Sequence, residues 1–481
     1  MNEICEIVPF QKGHDKINVR GYLMVKEKNR GNTFYWCCEK RKSNNCKGRA
    51  TTTFLNNSHY LQNFANHNHA PQASSAEVAK VVAQIKDQAQ DSNSSPAQII
   101  QNNITRTSDE IFPYIPSQNA LQMKIKRVRK ATTPPEPQSI EEIINIPDSY
   151  CNTFNGELFL VRNFEIGNEH ILLFTTKDNV HHLSQSPFWI MDGTFKTVPR
   201  IFYQLYTIHA PIGAEDNSRI LPLVYALMTG KSEELYQALF QNLIEFAEEN
   251  NISLRPSKVL TDFEKAAINA SHEEFPSITN KGCLFHLGQS CWRKIQDCGL
   301  ATQYGTDKHL SIMLRHLLAL AFVPSNEIPI AFDTLKSTMP QEASEVVQWF
   351  EEYYVLGKIR RRLQDGGTIR TPPLFPPQLW SVHDSMELGI PRTQNSVEAW
   401  HNRWSNLIGK THVGIYTIIK ELQKEQQKVE LQVESILRGA QRPKQKNAII
   451  DKENRITTIF NDRANRTTMD FLRGIAHNIS L

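Results

Sequence analysis

Four residues near the start of the chain have the types and order of a metal-ligand set: Cys38 and Cys46, then His67 and His69. Zinc takes four sulfur or nitrogen ligands in a tetrahedron, and a small domain with few core residues can draw its folding energy from such a site. Histidines two apart cannot share a helix face, so His67 and His69 are expected to converge from an irregular or extended turn. Cys37, beside Cys38, is the alternative thiol. Lys40, Arg41, Lys42, Lys47 and Arg49 flank the ligands and suit phosphate contact, or equally a solvated charged surface.

A second kind of chemistry is suggested farther along. Asp192 ends the apolar run FWIMD and Asp262 ends KVLTD, so each is expected at the end of a strand. Two-metal phosphoryl transfer uses carboxylates gathered in this way, from two strand ends and a helix, as hard oxygen ligands for two Mg²⁺ ions about 4 Å apart. An aspartate at a strand end is as often a turn or cap residue, so these positions alone do not decide the matter.

The elements that must position these residues follow from apolar spacing. GYLMVKEK, NTFYWCC, RATTTFLN and HYLQNF read as strands separated by Asn- and Gly-containing breaks, which predicts a small antiparallel sheet over residues 1–72. Residues 73–149 are rich in Gln, Asn, Ser and Ala; Val78, Val81, Val82 and Ile85 have helical spacing behind a serine, and TTPPEPQ reads as a linker. From 150 to 410 the pattern is three strands in a meander, a long helix at SEELYQALFQNLIEFAEENN, the strand SKVLTDF, a helix, the strand KGCLFH and another helix. A mostly helical stretch at about 300–390 precedes the helix NSVEAWHNRWSNLIG, and residues 411–481 read as one long helix and a polar tail. Adjacent antiparallel strands followed by crossover strands make a mixed sheet, and the whole an α/β multidomain protein.

Composition bounds the remaining classes. At 481 residues the chain exceeds what one core usually organises. Its net charge of +4 is mild, but residues 1–70 carry 11 Lys/Arg against 5 Asp/Glu, so the basic surface is concentrated beside the Cys/His set. MNEICEIVPF lacks the features of a secretory signal, and HLSIMLRHLLALAFVP reads as a buried helix, not a membrane span. Eight cysteines without a signal point to a reducing compartment, cytosol or nucleus, with no membrane partner. The run Lys124 to Lys130 suits nuclear import or DNA contact, or a solvated helix face, and Trp292, Trp349, Trp400 and Trp404 are expected in cores.

Two resemblances sharpen this reading. Gly21-Tyr22, the Phe34-Tyr35-Trp36-Cys37-Cys38 run, Cys46 followed by Arg49-Ala50, and His67-Asn68-His69 resemble a FLYWCH-type zinc finger, whose first ligand corresponds to Cys38. DGTFK at 192–196, TDFEKA at 261–266, CLFH at 283–286 and NSVEAWHN at 395–402 resemble Mutator-like (MULE) transposases. That resemblance implies an RNase H-like core with a helical insertion, a DDE triad of Asp192, Asp262 and Glu398 with Glu387 as the rival third acid, and magnesium beside the structural zinc. It also implies DNA as partner, a homo-oligomer on DNA, and a supporting role near the active site for Cys283 and His286, for which the bland alternative is a buried thiol and a hydrogen-bonded imidazole. A second zinc site using these with Cys291 or His272 lacks a clean fourth ligand. The function expected is metal-dependent cleavage and transfer of DNA strands; the alternative is a DNA- or chromatin-binding regulator descended from such an element.

Overall fold

The computed structural model describes residues 3–8, 16–92, 94–132, 134–143, 145–214, 217–363, 367–409, 411–442 and 446–481, apart from the side chains of Asp91, Lys130 and Thr132. The N-terminal segment read for a secretory signal is therefore described only over 3–8. The chain divides into two compact units, Met1–Pro135 and Glu136–Leu481.

The first unit contains six strands: β1 (Ile4–Val8), β2 (Lys16–Val19), β3 (Tyr22–Arg30), β4 (Thr33–Cys38), β5 (Arg49–Leu55) and β6 (Ser58–Phe64). Each is antiparallel to the next, and β1 also pairs with β6, so the expected small antiparallel sheet closes into a barrel. The turn between β5 and β6 uses Asn56 and Asn57 at φ of 48° and 58°, the left-handed geometry that matches strand twist in a two-residue hairpin. Inside lie Ile17, Val19, Met24 and Trp36, whose indole N–H donates to Thr52 Oγ1 at 2.8 Å. Three helices, Ser75–Asp91, Pro96–Ile104 and Gln118–Thr132, follow and bury a separate apolar cluster that includes Val82, Ile85, Ile99, Leu121 and Ile125.

The second unit is built on a seven-stranded mixed sheet in the order β13-β12-β9-β10-β11-β8-β7. Its strands are β7 (Leu160–Ile166), β8 (Glu169–Phe174), β9 (Trp189–Thr194), β10 (Gln204–Ile212), β11 (Arg219–Met228), β12 (Lys258–Thr261) and β13 (Thr279–Gly282). β7 through β11 pair antiparallel, whereas β12 is parallel to both β9 and β13. Alternation along the strands separates two covered faces: Ile171, Leu173, Ala226 and Met228 pack with the helix Glu233–Glu249, and Leu172, Phe174, Tyr225 and Leu227 pack with Trp400, Trp404 and the helix Ile415–Leu437.

Three expectations are corrected. The predicted strand KGCLFH ends at Gly282, and Leu284–Asp297 is helix. The mostly helical stretch contains a hairpin, Ile359–Arg362 with Thr368–Arg370. The polar tail contains two helices, Asn447–Asn461 and Thr468–Asn478, whose Ile456, Phe471, Leu472 and Ile475 complete the core of the helical layer formed by residues from Leu284 to Val382. Among the described residues no helix is long and apolar enough to cross a membrane.

Candidate functional sites

The ligand atoms of Cys38, Cys46, His67 and His69 all lie within 4.8 Å of one another. Cys38 ends β4, Cys46 closes the following turn, and both histidines stand in the irregular segment after β6, as their two-residue spacing requires. Cys38 Sγ is 3.2 Å from His69 Nε2, and Cys46 Sγ is 3.4 Å from His67 Nδ1. Tetrahedral zinc with ordinary bond lengths separates sulfur and nitrogen ligands by roughly 3.6 Å, so the donor set fits that metal with little adjustment. His69 Nδ1 lies 3.0 Å from the Ala70 carbonyl, which leaves Nε2 as the ligating nitrogen, and Tyr22 stacks on His67 at 3.8 Å between ring centres. Cys37 is outside the cluster, on the opposite side of the strand, with Arg41 Nη1 at 3.9 Å from its sulfur.

Of the flanking basic residues, Lys40, Arg41, Lys42 and Lys47 are exposed, and Arg49 is half-buried. Arg41 and Arg49 both pair with Glu27, at 3.2 and 3.3 Å, whereas no ion pair holds Lys40, Lys42 or Lys47 among the described residues. In the basic run, Arg129 is committed to the carbonyls of Ala89, Ser92 and Ser94 at 3.2, 2.8 and 2.7 Å, and the Lys130 side chain lies outside the described residues. Trp400 and Trp404 are buried and stacked at 5.3 Å, and Trp292 and Trp349 pack on the helical layer.

The carboxylates gather where the sheet splits. β9 and β12 pair only through Trp189–Val259 and Ile190–Leu260, just before each strand delivers its aspartate. Asp192 is 8% exposed; its Oδ1 accepts from the Gly193 N–H at 2.8 Å and its Oδ2 lies 3.5 Å from His401 Nδ1. Asp262 Oδ1 accepts from the Glu264 N–H at 3.1 Å. Glu398 sits in the first turn of the helix Asn395–Ile408, one turn before His401. Burial and then the negative charge of Asp262, with smaller contributions from Glu398 and Glu264, push the Asp192 carboxyl up to about 8. Burial also raises Asp262, Glu264 and Glu398, lowers His286, and pushes His401 down to about 4, with His286 adding to the effect on His401.

Glu398 Oε1, Glu264 Oε1, His286 Nδ1 and His401 Nε2 are buried without a hydrogen-bond partner. Asp192 is buried and Asp262, Glu264 and Glu398 are half-buried, with Lys231 the cation whose charge acts on Asp262 and Glu264; such a group, with several unused ligand atoms, is suited to a hard cation. The oxygens of Asp192, Asp262 and Glu398 do not form a group within 4.8 Å, so they could serve two ions but do not close around one. Glu387 faces His383 at 3.7 Å in a different cluster, with Asp384. Cys283 is buried and its thiol is pushed up to about 11 by burial, which suits a structural thiol; its sulfur accepts from the Gln394 N–H at 3.3 Å. His286 adjoins the acids, its imidazole opposing the rise at Asp262. Cys291 is in the helical-layer core, and no metal-ligand group includes it, Cys283, His286 or His272 among the described residues.

Sequence reasoning missed Glu264 and Gln394. Glu264 was signalled only by its spacing from Asp262; nothing local marked Gln394.

Residues 7–69 match the FLYWCH zinc finger domain, and residues 188–290 match the MULE transposase domain. The first match contains all four Cys/His residues and suggests zinc binding. The second contains Asp192, Asp262, Cys283 and His286 and ends before Glu398. Together they support a transposase-like or DNA-binding role. No curated protein matches the chain.

Proposed function

We propose that this chain is a Mutator-like transposase that binds DNA through its N-terminal zinc module and cleaves and transfers DNA strands at Asp192, Asp262 and Glu398. The observation that carries this reading is the pair of strand-end aspartates at the split between β9 and β12, Asp192 buried and Asp262 half-buried, with Asp192 within the electrostatic reach of both Asp262 and Glu398. The strand order β11-β10-β9-β12-β13, three antiparallel and then two parallel, supports an RNase H-like core. The proposed domains are 1–72 for the finger, 73–149 for the helical segment and linker, 150–410 for the core with its insertion, and 411–481 for the C-terminal helices.

Asp192, Asp262 and Glu398 would hold Mg²⁺, which supplies activation of an attacking water or hydroxyl and stabilisation of the leaving oxygen. The residues themselves do the rest. The Gly193 N–H fixes one oxygen of Asp192 and the Glu264 N–H one oxygen of Asp262, which leaves the other oxygen of each available. His401, uncharged at neutral pH, stands beside Asp192 Oδ2 and limits its rotation without neutralising it. Lys40, Lys42 and Lys47, which have no ion pair among the described residues, are the proposed phosphate contacts of the finger, and Arg41 and Arg49 secondary ones. A nuclear location and assembly into an oligomer on DNA belong to the same proposal.

The decisive experiment is a cleavage assay with purified protein, Mg²⁺ and DNA carrying the flanking genomic ends. Cleavage is expected from the wild type and not from Asp192→Ala; cleavage that persists in the variant refutes the assignment. The second reading, a DNA-binding regulator without chemistry, is favoured by the open spacing of the three carboxylates, and predicts salt-sensitive DNA binding with no cleavage by either protein.

A further inference from the structure

Two parallel strands that separate leave backbone carbonyls without a ladder partner, and such groups are costly when buried. At the split between β9 and β12, Met191 stands one residue past the last registered pair and Leu260 stands in it, so the Met191 carbonyl is the one the ladder releases and the Leu260 carbonyl is the last one it holds. Both accept from one group: Gln394 Nε2 donates to Met191 O at 3.0 Å and to Leu260 O at 3.1 Å. A primary amide nitrogen has two hydrogens, so its donor capacity is used in full. The reverse orientation would set the amide oxygen against two carbonyl oxygens, which fixes the assignment.

The main chain of Gln394 makes a third connection. Its carbonyl accepts from the N–H groups of Val397 and Glu398 at 2.8 and 2.9 Å, at the start of the helix that carries Glu398. Its own N–H donates to Cys283 Sγ at 3.3 Å, and the neighbouring Arg392 carbonyl accepts from the Leu284 N–H at 3.0 Å. Gln394 is fully buried, beside the apolar cluster of Ile190, Leu260, Cys283 and Val397. One residue thus touches β9 one position before Asp192, β12 two positions before Asp262, and the first turn bearing Glu398. Its Oε1 is buried without a partner, so the site tolerates an unused acceptor to place the two donors there.

We propose that Gln394 is a positioning residue, an amide clamp across the strand split that sets the spacing of Asp192, Asp262 and Glu398 for metal binding. The proposal rests on the metal-dependent reading above. Cys283 has a defined part in it, as the acceptor that holds the Gln394 main chain.

Gln394→Met keeps length and approximate volume but removes both donors. Mn²⁺ binding, followed by its electron paramagnetic resonance signal, should weaken by about tenfold or more, and the Mg²⁺ midpoint for cleavage should rise in parallel with little change in KM for DNA. Gln394→Asn keeps the amide on a side chain one carbon shorter; it should fall between wild type and Gln394→Met, and it carries the test if Gln394→Met does not fold. A merely structural residue would lower Tm and leave the Mn²⁺ affinity of the folded protein unchanged, and that result overturns the clamp. Failure of the underlying reading is distinguishable: the wild type itself would then bind no Mn²⁺ that Asp192→Asn abolishes, and the clamp would fall with it.

Discussion

Asp192→Asn should make the second unit more stable while removing its response to divalent metal. An aspartate in water titrates near 3.8, whereas burial and the charge of Asp262 raise Asp192 to about 8. Between those values the folded protein binds more protons than the unfolded chain, so stability falls as pH rises. The slope is about 1.36 kcal/mol per pH unit, which sums to roughly 4 kcal/mol at pH 7. That figure is an upper bound, because protonation of Asp262 would relieve part of the same repulsion. Asparagine copies the protonated carboxyl: its Oδ1 can still accept from the Gly193 N–H, and its amide can donate toward uncharged His401. A gain of about 1–3 kcal/mol at pH 7 is expected, or about 2–8 °C in Tm, shrinking toward pH 5. Six of the seven tryptophans lie in this unit, so intrinsic fluorescence in zinc-containing, magnesium-free buffer follows its unfolding. Added Mg²⁺ should raise the wild-type Tm and leave the variant unmoved. A variant less stable than wild type at pH 7, or a difference independent of pH, would refute the electrostatic account.

Gly48→Ala should disrupt the zinc site, because the added Cβ would lie 2.4 Å from His67 Cε1, and Tyr22 stacked on that ring prevents retreat. Zinc affinity measured with a chromogenic chelator should drop by about tenfold or more, and an unchanged affinity would show that His67 is not held as described. Joint replacement of Lys40, Lys42 and Lys47 by Ala should flatten the dependence of DNA affinity on log salt by about 2–3 units, whereas an unaltered slope would move the phosphate contacts elsewhere. Glu398→Gln should abolish Mg²⁺-dependent cleavage and Glu387→Gln should not; the opposite pattern would make Glu387 the third acid.

How much of this was legible in the sequence depends on whether the deciding interaction is local. The Cys/His set could be read because residue type and order carry the chemistry, and the turn after β6 needs no distant partner to bring two histidines together. β9 to β11 could be read because strands covered on both faces are nearly continuous apolar runs. Barrel closure could not, since β1 and β2 span five and four residues and acquire their meaning only by pairing with β6 and β3. KGCLFH misled because a short apolar run suits a strand or a buried first helical turn equally well. The helix Asn447–Asn461 buries Ile456 alone, so its sequence remains polar while the helical layer supplies the partner. The acids show the same limit at the site itself: Asp192 and Asp262 are marked by the strands they end, but nothing near Gln394 announces that its amide will meet the Met191 and Leu260 carbonyls, 203 and 134 residues away. Gln394 sits at the parting of β9 and β12, just before the two strands deliver Asp192 and Asp262. A polar residue with no local signal is therefore expected wherever a sheet opens to admit chemistry, because the carbonyls released by the opening need donors that the strands cannot supply.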